Sequence, residues 1–267
     1  MKNDIASKLG VTILCIVLLA GFARAQTNLV GNSGFEAGPT GQGQFTAWSW
    51  LGPADNFSNY GVAKSTAAFE VAEQGTNFAY FRGHPTDNSQ DCLGTDVALK
   101  VGGLYTISYY LGTDGPLTNG AAMWVVIGTS FGINLSVDTM LTAFFPNSAS
   151  ALPYQKFNTN YVPATTGQIL SFHGINATNG IAVTNGILLD NVSVVLAYPP
   201  LNINRSGPGS LVFTWPFTNT VYRLQTNASL RTTNWGTLSN LPTAVGATNQ
   251  VILPAPAGTL FYRLTLP

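Results

Sequence analysis

Leu104-Tyr105-Thr106-Ile107-Ser108-Tyr109-Tyr110-Leu111 decides the fold class. Tyr105, Ile107, Tyr109 and Leu111 alternate with mostly polar neighbours, the period of a strand with one face in a core. The same signal spreads outward. Met123 to Ile127 is a short apolar run of strand length, Gln168 to His173 alternates again, and Leu188 to Leu196 is rich in valine. Clusters of Gly, Asn, Asp and Pro punctuate these runs, as in Gly112-Thr113-Asp114-Gly115-Pro116 and Asn176 to Gly180. No capped segment of helical period persists for the roughly 12 residues a helix would need. Short strands at short spacing predict an all-β chain of sandwiches and not a βαβ architecture.

Tyr198-Pro199-Pro200 reads as a linker, because two prolines cannot continue a central strand. Beyond it, Leu211, Phe213 and Trp215 alternate with Val212 and Thr214. Tyr222 to Gln225, Val251 to Leu253 and Leu260 to Leu264 supply further strands of a second, small β unit. Trp215 and Trp235 are expected in its core.

At the start, Lys2 and Lys8 precede an apolar stretch from Leu9 to Phe22, and Ala23-Arg24-Ala25 closes it. That is a secretory leader over 1–25, with cleavage expected before Gln26. The whole chain carries 11 basic and 11 acidic residues and is 8% charged. Without the leader it keeps 8 basic against 10 acidic, a net of −2 before histidine. No basic run exists, so the electrostatic footprint of nucleic-acid binding is missing. Cys92 is then the one cysteine left, without a disulfide partner, and is expected to be buried and inert. A secreted product, extracellular or periplasmic, with no membrane span is the expectation.

Gly128-Thr129-Ser130-Phe131-Gly132 matches the nucleophile-elbow pattern G-x-S-x-G, with Asp138 and His173 following in Ser–Asp–His order. That elbow needs a following helix in an α/β chain, and neither is signalled, so Ser130 is expected in a turn. Glu70 and Glu73 fall on opposite faces of a strand, unlike paired glycosidase carboxylates. His84 and His173 are the only histidines, and no zinc-ligand spacing or phosphate-binding loop appears. Catalysis is not expected.

The opening Asn28-Leu29-Val30-Gly31-Asn32-Ser33-Gly34-Phe35-Glu36 resembles the start of galactose-binding-like jelly rolls, including carbohydrate-binding modules and DUF642-like cell-wall proteins. The resemblance continues through Trp48, Gly75 to Phe81 and Gly103 to Ser108, and closes on Leu188-Leu189-Asp190-Asn191-Val192-Ser193-Val194. The tail resembles fibronectin-like C-terminal units of secreted bacterial proteins through Phe213-Thr214-Trp215-Pro216, Tyr222-Arg223-Leu224-Gln225 and Phe261-Tyr262-Arg263-Leu264. These resemblances imply an N-terminal jelly roll over 26–197 and a small Ig/fibronectin-like sandwich over 198–267. Jelly rolls of this kind often hold a structural calcium between first and last strands, which here would fall to Glu36 and Asp190. Asp190 shares simple strand parity with Val192 and Val194, so an inward and costly carboxylate is expected. The alternative is that Asp190 accepts backbone N–H groups and Glu36 caps a turn.

What remains is aromatic and amide chemistry of the kind that binds sugars. Trp48 and Trp50 share a strand face, and Trp48 matches the position those domains use for packing. Trp50, Tyr60 and Arg82 are the candidate ligand contacts, with Asp87 in the polar loop Asp87 to Asp91 on the same rim. Tyr80, His84 and Trp124 are secondary candidates. A secreted, non-catalytic polysaccharide- or glycan-binding protein is the expectation; a structural or adhesive protein with all aromatics in the core is the alternative.

Overall fold

The computed structural model describes residues 26–51, 60–65, 71–82, 91–117, 120–131, 137–175, 185–216 and 222–266. The leader, Asp87, His84 and Glu70 lie outside them. The described residues contain no helix and form four antiparallel sheets. A six-stranded sheet runs in the order β1 (Gly41–Gln42), β3 (Tyr60–Lys64), β4 (Asn77–Phe81), β11 (Ile187–Ala197), β6 (Leu104–Thr113) and β9 (Gln155–Tyr161). A five-stranded sheet runs β2 (Ser49–Leu51), β5 (Asp91–Val97), β10 (Gln168–Ile175), β7 (Ala122–Gly128) and β8 (Thr139–Phe144). The all-β expectation holds.

The alternation in β6 does what its period requires. Tyr105, Ile107, Tyr109 and Leu111 are buried between the two sheets, against Leu93, Val125 and Phe172 of the facing one. Phe172 meets Tyr109 edge-on, with ring centroids 5.3 Å apart. Each such fully buried large side chain contributes roughly 1.5–3 kcal/mol through its area removed from water. The outer face of the six-stranded sheet carries a separate apolar cluster, in which Phe78, Tyr80 and Leu188 are covered by Ala72. Both faces of β4 are therefore buried, which explains its unbroken run Phe78-Ala79-Tyr80-Phe81.

Pairing fixes two opposite poles. Phe81 stands opposite both Tyr60 and Ile187, and Ile187 opposite Thr113, so these strand ends share one row. In the other sheet Ile175 stands opposite Ala122, and Asp91 opposite Gly174, whose Cα lies against the Phe81 ring. The connections from β2 to β3, β4 to β5, β6 to β7 and β10 to β11 thus leave from one pole. The start of β6 and the end of β11 define the other.

After Ala197 the chain builds a second, smaller core. One sheet runs β12 (Asn202–Arg205), β13 (Ser210–Pro216), β17 (Thr248–Pro254) and β16 (Thr243–Val245); the other runs β15 (Gly236–Thr237), β14 (Arg223–Asn227) and β18 (Phe261–Thr265). Phe213, Trp215, Tyr222, Leu224, Val251 and Leu264 form the core between them. Trp215 sits there as expected; Trp235 does not. It is half-buried outside this core, with the Arg263 guanidinium 4.2 Å above its ring centroid. The reason is positional: Trp235 falls just before the two-residue edge strand β15, where no inward slot is offered.

Candidate functional site

Two regions of the first sandwich gather the residues singled out by the sequence. The first is where the opening segment crosses the last strand. Asn28 takes the place of a ladder residue: its side chain accepts from the Val194 N–H at 2.9 Å and donates to the Val192 carbonyl at 3.0 Å. Asn32 and Phe35, with φ of 47° and 57°, turn the chain back so that Phe35 is buried against Trp48, centroids 5.3 Å apart. Glu36 is thereby aimed at the segment before β4. Its Oε1 accepts from the Thr76 and Asn77 N–H groups at 2.7 and 2.8 Å, and its Oε2 from the Thr76 hydroxyl at 2.9 Å. Partial burial pushes the carboxyl pKa up, but these three donors outweigh it and hold it below the ordinary value.

Asp190 closes the same segment from below, by a route the parity argument missed. A β-bulge at β11 shifts the register between Asp190 and Ser193, with Asn191 at φ 49°. Asp190 therefore stands opposite Tyr110, on the outer side of the sheet, while Val192 and Val194 point inward. It is nonetheless fully buried, because residues 73–76 fold over it. Its two oxygens accept from the Gln74 N–H at 3.0 Å and the Asn191 N–H at 2.7 Å. Burial dominates and pushes its pKa up to about 6, against those bonds.

A calcium ion needs six to eight oxygens with lone pairs to give. The neighbouring carbonyls of Asn32, Ser33 and Phe35 already accept from Trp48 Nε1, the Val192 N–H and Asn77 Nδ2. Both carboxylates are also engaged by N–H and O–H donors, so protein groups alone satisfy this cluster as it is arranged. No group of three His, Cys, Asp or Glu among the described residues is placed to hold a metal ion.

The second region is the pole of the sheet-crossing connections. Arg82 follows β4 directly and lies over the Tyr80 ring, 4.9 Å from its centroid. Its Nη2 pairs with Asp114 Oδ2 at 2.9 Å, and Nε reaches the same oxygen at 3.4 Å. Asp114 is buried and also accepts from the Gly186 N–H, while the Asn185 amide donates to the Pro116 carbonyl at 3.1 Å. A Cβ at Gly186 would fall 2.4 Å from the Phe81 carbonyl oxygen, so the close approach needs glycine. Asp114 and Asn185 were not among the sequence candidates. Asp114 sat in the turn-signal cluster Gly112 to Pro116, and nothing local distinguishes a turn aspartate from one that reaches 32 residues back.

The remaining candidates separate. Trp50 stands opposite Leu93 and points inward, half-buried, against Tyr60 with centroids 5.1 Å apart. Tyr60 is fully buried between Trp50 and Phe45, so its ring faces are spent on packing. Trp48 is a core residue as expected. Of the expected rim, the Arg82 side chain is partly exposed, Trp50 is half-buried, Tyr60 is buried, and Asp87 lies outside the described residues.

Gly132 and the residues up to 136 lie outside the described residues, and Ser130 is seen only in its bend. It is exposed in the bend after β7, and Asp138 caps that bend by accepting the Thr129 N–H at 3.2 Å. His173 is buried on the outer side of β10, with Nε2 2.9 Å from Ser171 Oγ and 3.6 Å from Cys92 Sγ. Burial drives its pKa down to about 4, with the Asp138 charge opposing, so the imidazole is neutral at pH 7. Cys92 is buried and donates to the Phe131 carbonyl at 3.4 Å. Glu73 accepts from the Asn191 amide at 2.9 Å, and Glu70 lies outside the described residues.

No family model matches the chain. No curated protein matches it either. Among solved structures it is similar to TmCBM61 in complex with β-1,4-galactotriose, at 18% identity and TM-score 0.45, covering 64% of this chain and 99% of that one. The K3 cleaved adhesin domain of Lys-gingipain from Porphyromonas gingivalis is 16% identical, at TM-score 0.43, covering 62% and 96%. A family 16 carbohydrate-binding module is 17% identical, at TM-score 0.40, covering 63% and 99%. At these scores and identities the likenesses assign this chain neither a family nor a ligand. No helix of the described residues is long and apolar enough to cross a membrane.

Proposed function

We propose that the chain is a secreted, non-catalytic polysaccharide- or glycan-binding protein. In this reading residues 1–25 are a cleaved leader, 26–197 carry the binding site and 198–267 form a separate small sandwich. The observation that carries the site is Arg82, held by buried Asp114 and by the Tyr80 ring at the pole of the sheet-crossing connections. A guanidinium fixed on two sides presents hydrogen-bond donors to hydroxyl groups without first losing its own freedom. Asn185, whose amide donates to the Pro116 carbonyl, belongs to the same rim. One observation favours the structural or adhesive alternative: Tyr60 and Trp48 are buried, and the Trp50 ring is half-covered.

Affinity electrophoresis of the purified chain against plant, algal and bacterial polymers tests this. Saturable binding is expected, weakened about tenfold in Arg82→Lys, which keeps the charge and loses the fork. Binding is expected to survive EDTA, since Glu36 and Asp190 are satisfied by protein donors. Absence of binding to every polymer by folded protein would leave the structural alternative. Binding that chelation abolishes would restore calcium at Glu36 and Asp190.

A further inference from the structure

The tetrapeptide Thr-Asn-Gly-Ile occurs twice, at 178–181 and again at 184–187. Asn-Gly is the pair most open to attack by the backbone on a side-chain amide. Glycine brings no side chain to hinder its own nitrogen, and its freedom of rotation lets that nitrogen approach the asparagine carboxamide. The first copy lies outside the described residues; the second enters β11 beside Asp114.

Both reacting groups of this second copy are held. Asp114 grips Gly186 twice: its carboxylate accepts the Gly186 N–H, and its own N–H donates to the Gly186 carbonyl at 3.2 Å. The Asp114 side chain is buried and paired with Arg82. The Asn185 carboxamide lies on the bare backbone of Gly115, where a Cβ would stand 2.4 Å from Asn185 Cγ. Its Nδ2 donates to the Pro116 carbonyl at 3.1 Å. Attack requires the Gly186 nitrogen to lose its proton and reach Asn185 Cγ. A carboxylate against that nitrogen disfavours the negative charge forming on it, and the seat on Gly115 with the Pro116 bond holds Cγ where it is.

We propose that Asn185 is a self-modification site, locked by Asp114 and Gly115. When the lock opens, the Gly186 nitrogen bonds to Asn185 Cγ and the Cγ–Nδ2 bond breaks. The amide leaves as ammonia, taking up the proton that Gly186 gave to solvent. The succinimide so formed adds water at one of its two carbonyls, giving aspartate or isoaspartate at position 185. Either product changes the pole for good. A carboxylate cannot donate to the Pro116 carbonyl, and isoaspartate lengthens the main chain at the entry to β11. This chemistry stands apart from glycan binding and needs only water as co-reactant.

The test follows ammonia release and isoaspartate formation in the full purified chain at mildly alkaline pH, with peptide mapping to separate position 185 from 179. In urea the two identical tetrapeptides should react at similar rates. In the folded chain Asn185 should react at least about tenfold more slowly than in urea, because only the locally open population reacts. Asp114→Asn keeps the side-chain shape and removes the carboxylate. Gly115→Ala unseats the carboxamide and leaves Asp114 in place. Each should speed the reaction at Asn185 about tenfold or more at a temperature where its thermal unfolding shows it folded. If Asp114→Asn does not fold, Gly115→Ala and the wild-type comparison decide. Equal rates in folded and unfolded wild type would overturn the proposal. So would a folded variant of either kind in which Asn185 stays as slow as in wild type.

Discussion

Asp190 and His173 are buried groups whose titrations oppose each other. Burial raises the Asp190 pKa from 3.8 to about 6, so the folded chain binds that proton more readily than the unfolded chain. Asp190 therefore favours the fold at low pH, and that contribution is lost as pH rises from about 4 through about 6. Burial lowers the His173 pKa from 6.5 to about 4, so its contribution is present above pH 6.5 and lost as pH falls toward 4. The two slopes largely cancel across this window in the native chain. Asp190→Asn removes the aspartate's slope alone, so urea midpoints of this variant should fall more steeply than wild type between pH 6.5 and 4. An equal or shallower fall would mean that Asp190 is ionised throughout that window. Its burial could be anticipated from the sequence, but its reason could not: strand parity pointed it inward, and one bulge at Asn191 turned it out beneath residues 73–76.

The elements themselves were legible where a strand has one wet face. β6 and β10 alternate and were read correctly, because period two records which side meets the core. The face of β10 away from the main core was the harder case, since Ser171 and His173 look polar yet are fully buried. What covers β5 beside them is partly Phe131, the fourth residue of the G-x-S-x-G pattern. Gly94 makes room for it: a Cβ there would stand 2.5 Å from the Phe131 ring, which must move. The Phe131 carbonyl also holds the Cys92 thiol. Gly94→Ala should displace this cover and speed reaction of Cys92 with an aromatic disulfide reagent by about tenfold or more, through a larger open population. Unchanged labelling with unchanged stability would show that Phe131 does not guard the thiol. The glycine's purpose was invisible in the sequence, because its neighbour arrives from 37 residues away.

At the scale of the whole molecule, the proline pair after Tyr198 signalled a division, and two separate cores stand on either side of it. The sequence offered no sign of how they are joined. Tyr222 opens the second unit's central hairpin and is fully buried, yet its hydroxyl leaves that core for the first sandwich. It accepts from the Leu104 N–H at 3.0 Å and donates to the Ala197 carbonyl at 3.0 Å, tying the start of β6 to the end of β11. Tyr198 meets its ring at 6.1 Å, and Leu266 packs where Gly103 has no side chain. This joint lies at the pole opposite Arg82. Tyr222→Phe keeps the buried ring and removes both bonds, leaving an amide and a carbonyl without their partner. It should cost about 1–3 kcal/mol. That cost should fall on the joint: protease cleavage near 198–202 should accelerate while each core keeps its tryptophan fluorescence, and calorimetry should resolve two transitions where the wild type gives one. A variant that lost stability in a single cooperative step, without faster cleavage at the linker, would place the tyrosine's role inside the second core and leave the joint to apolar packing.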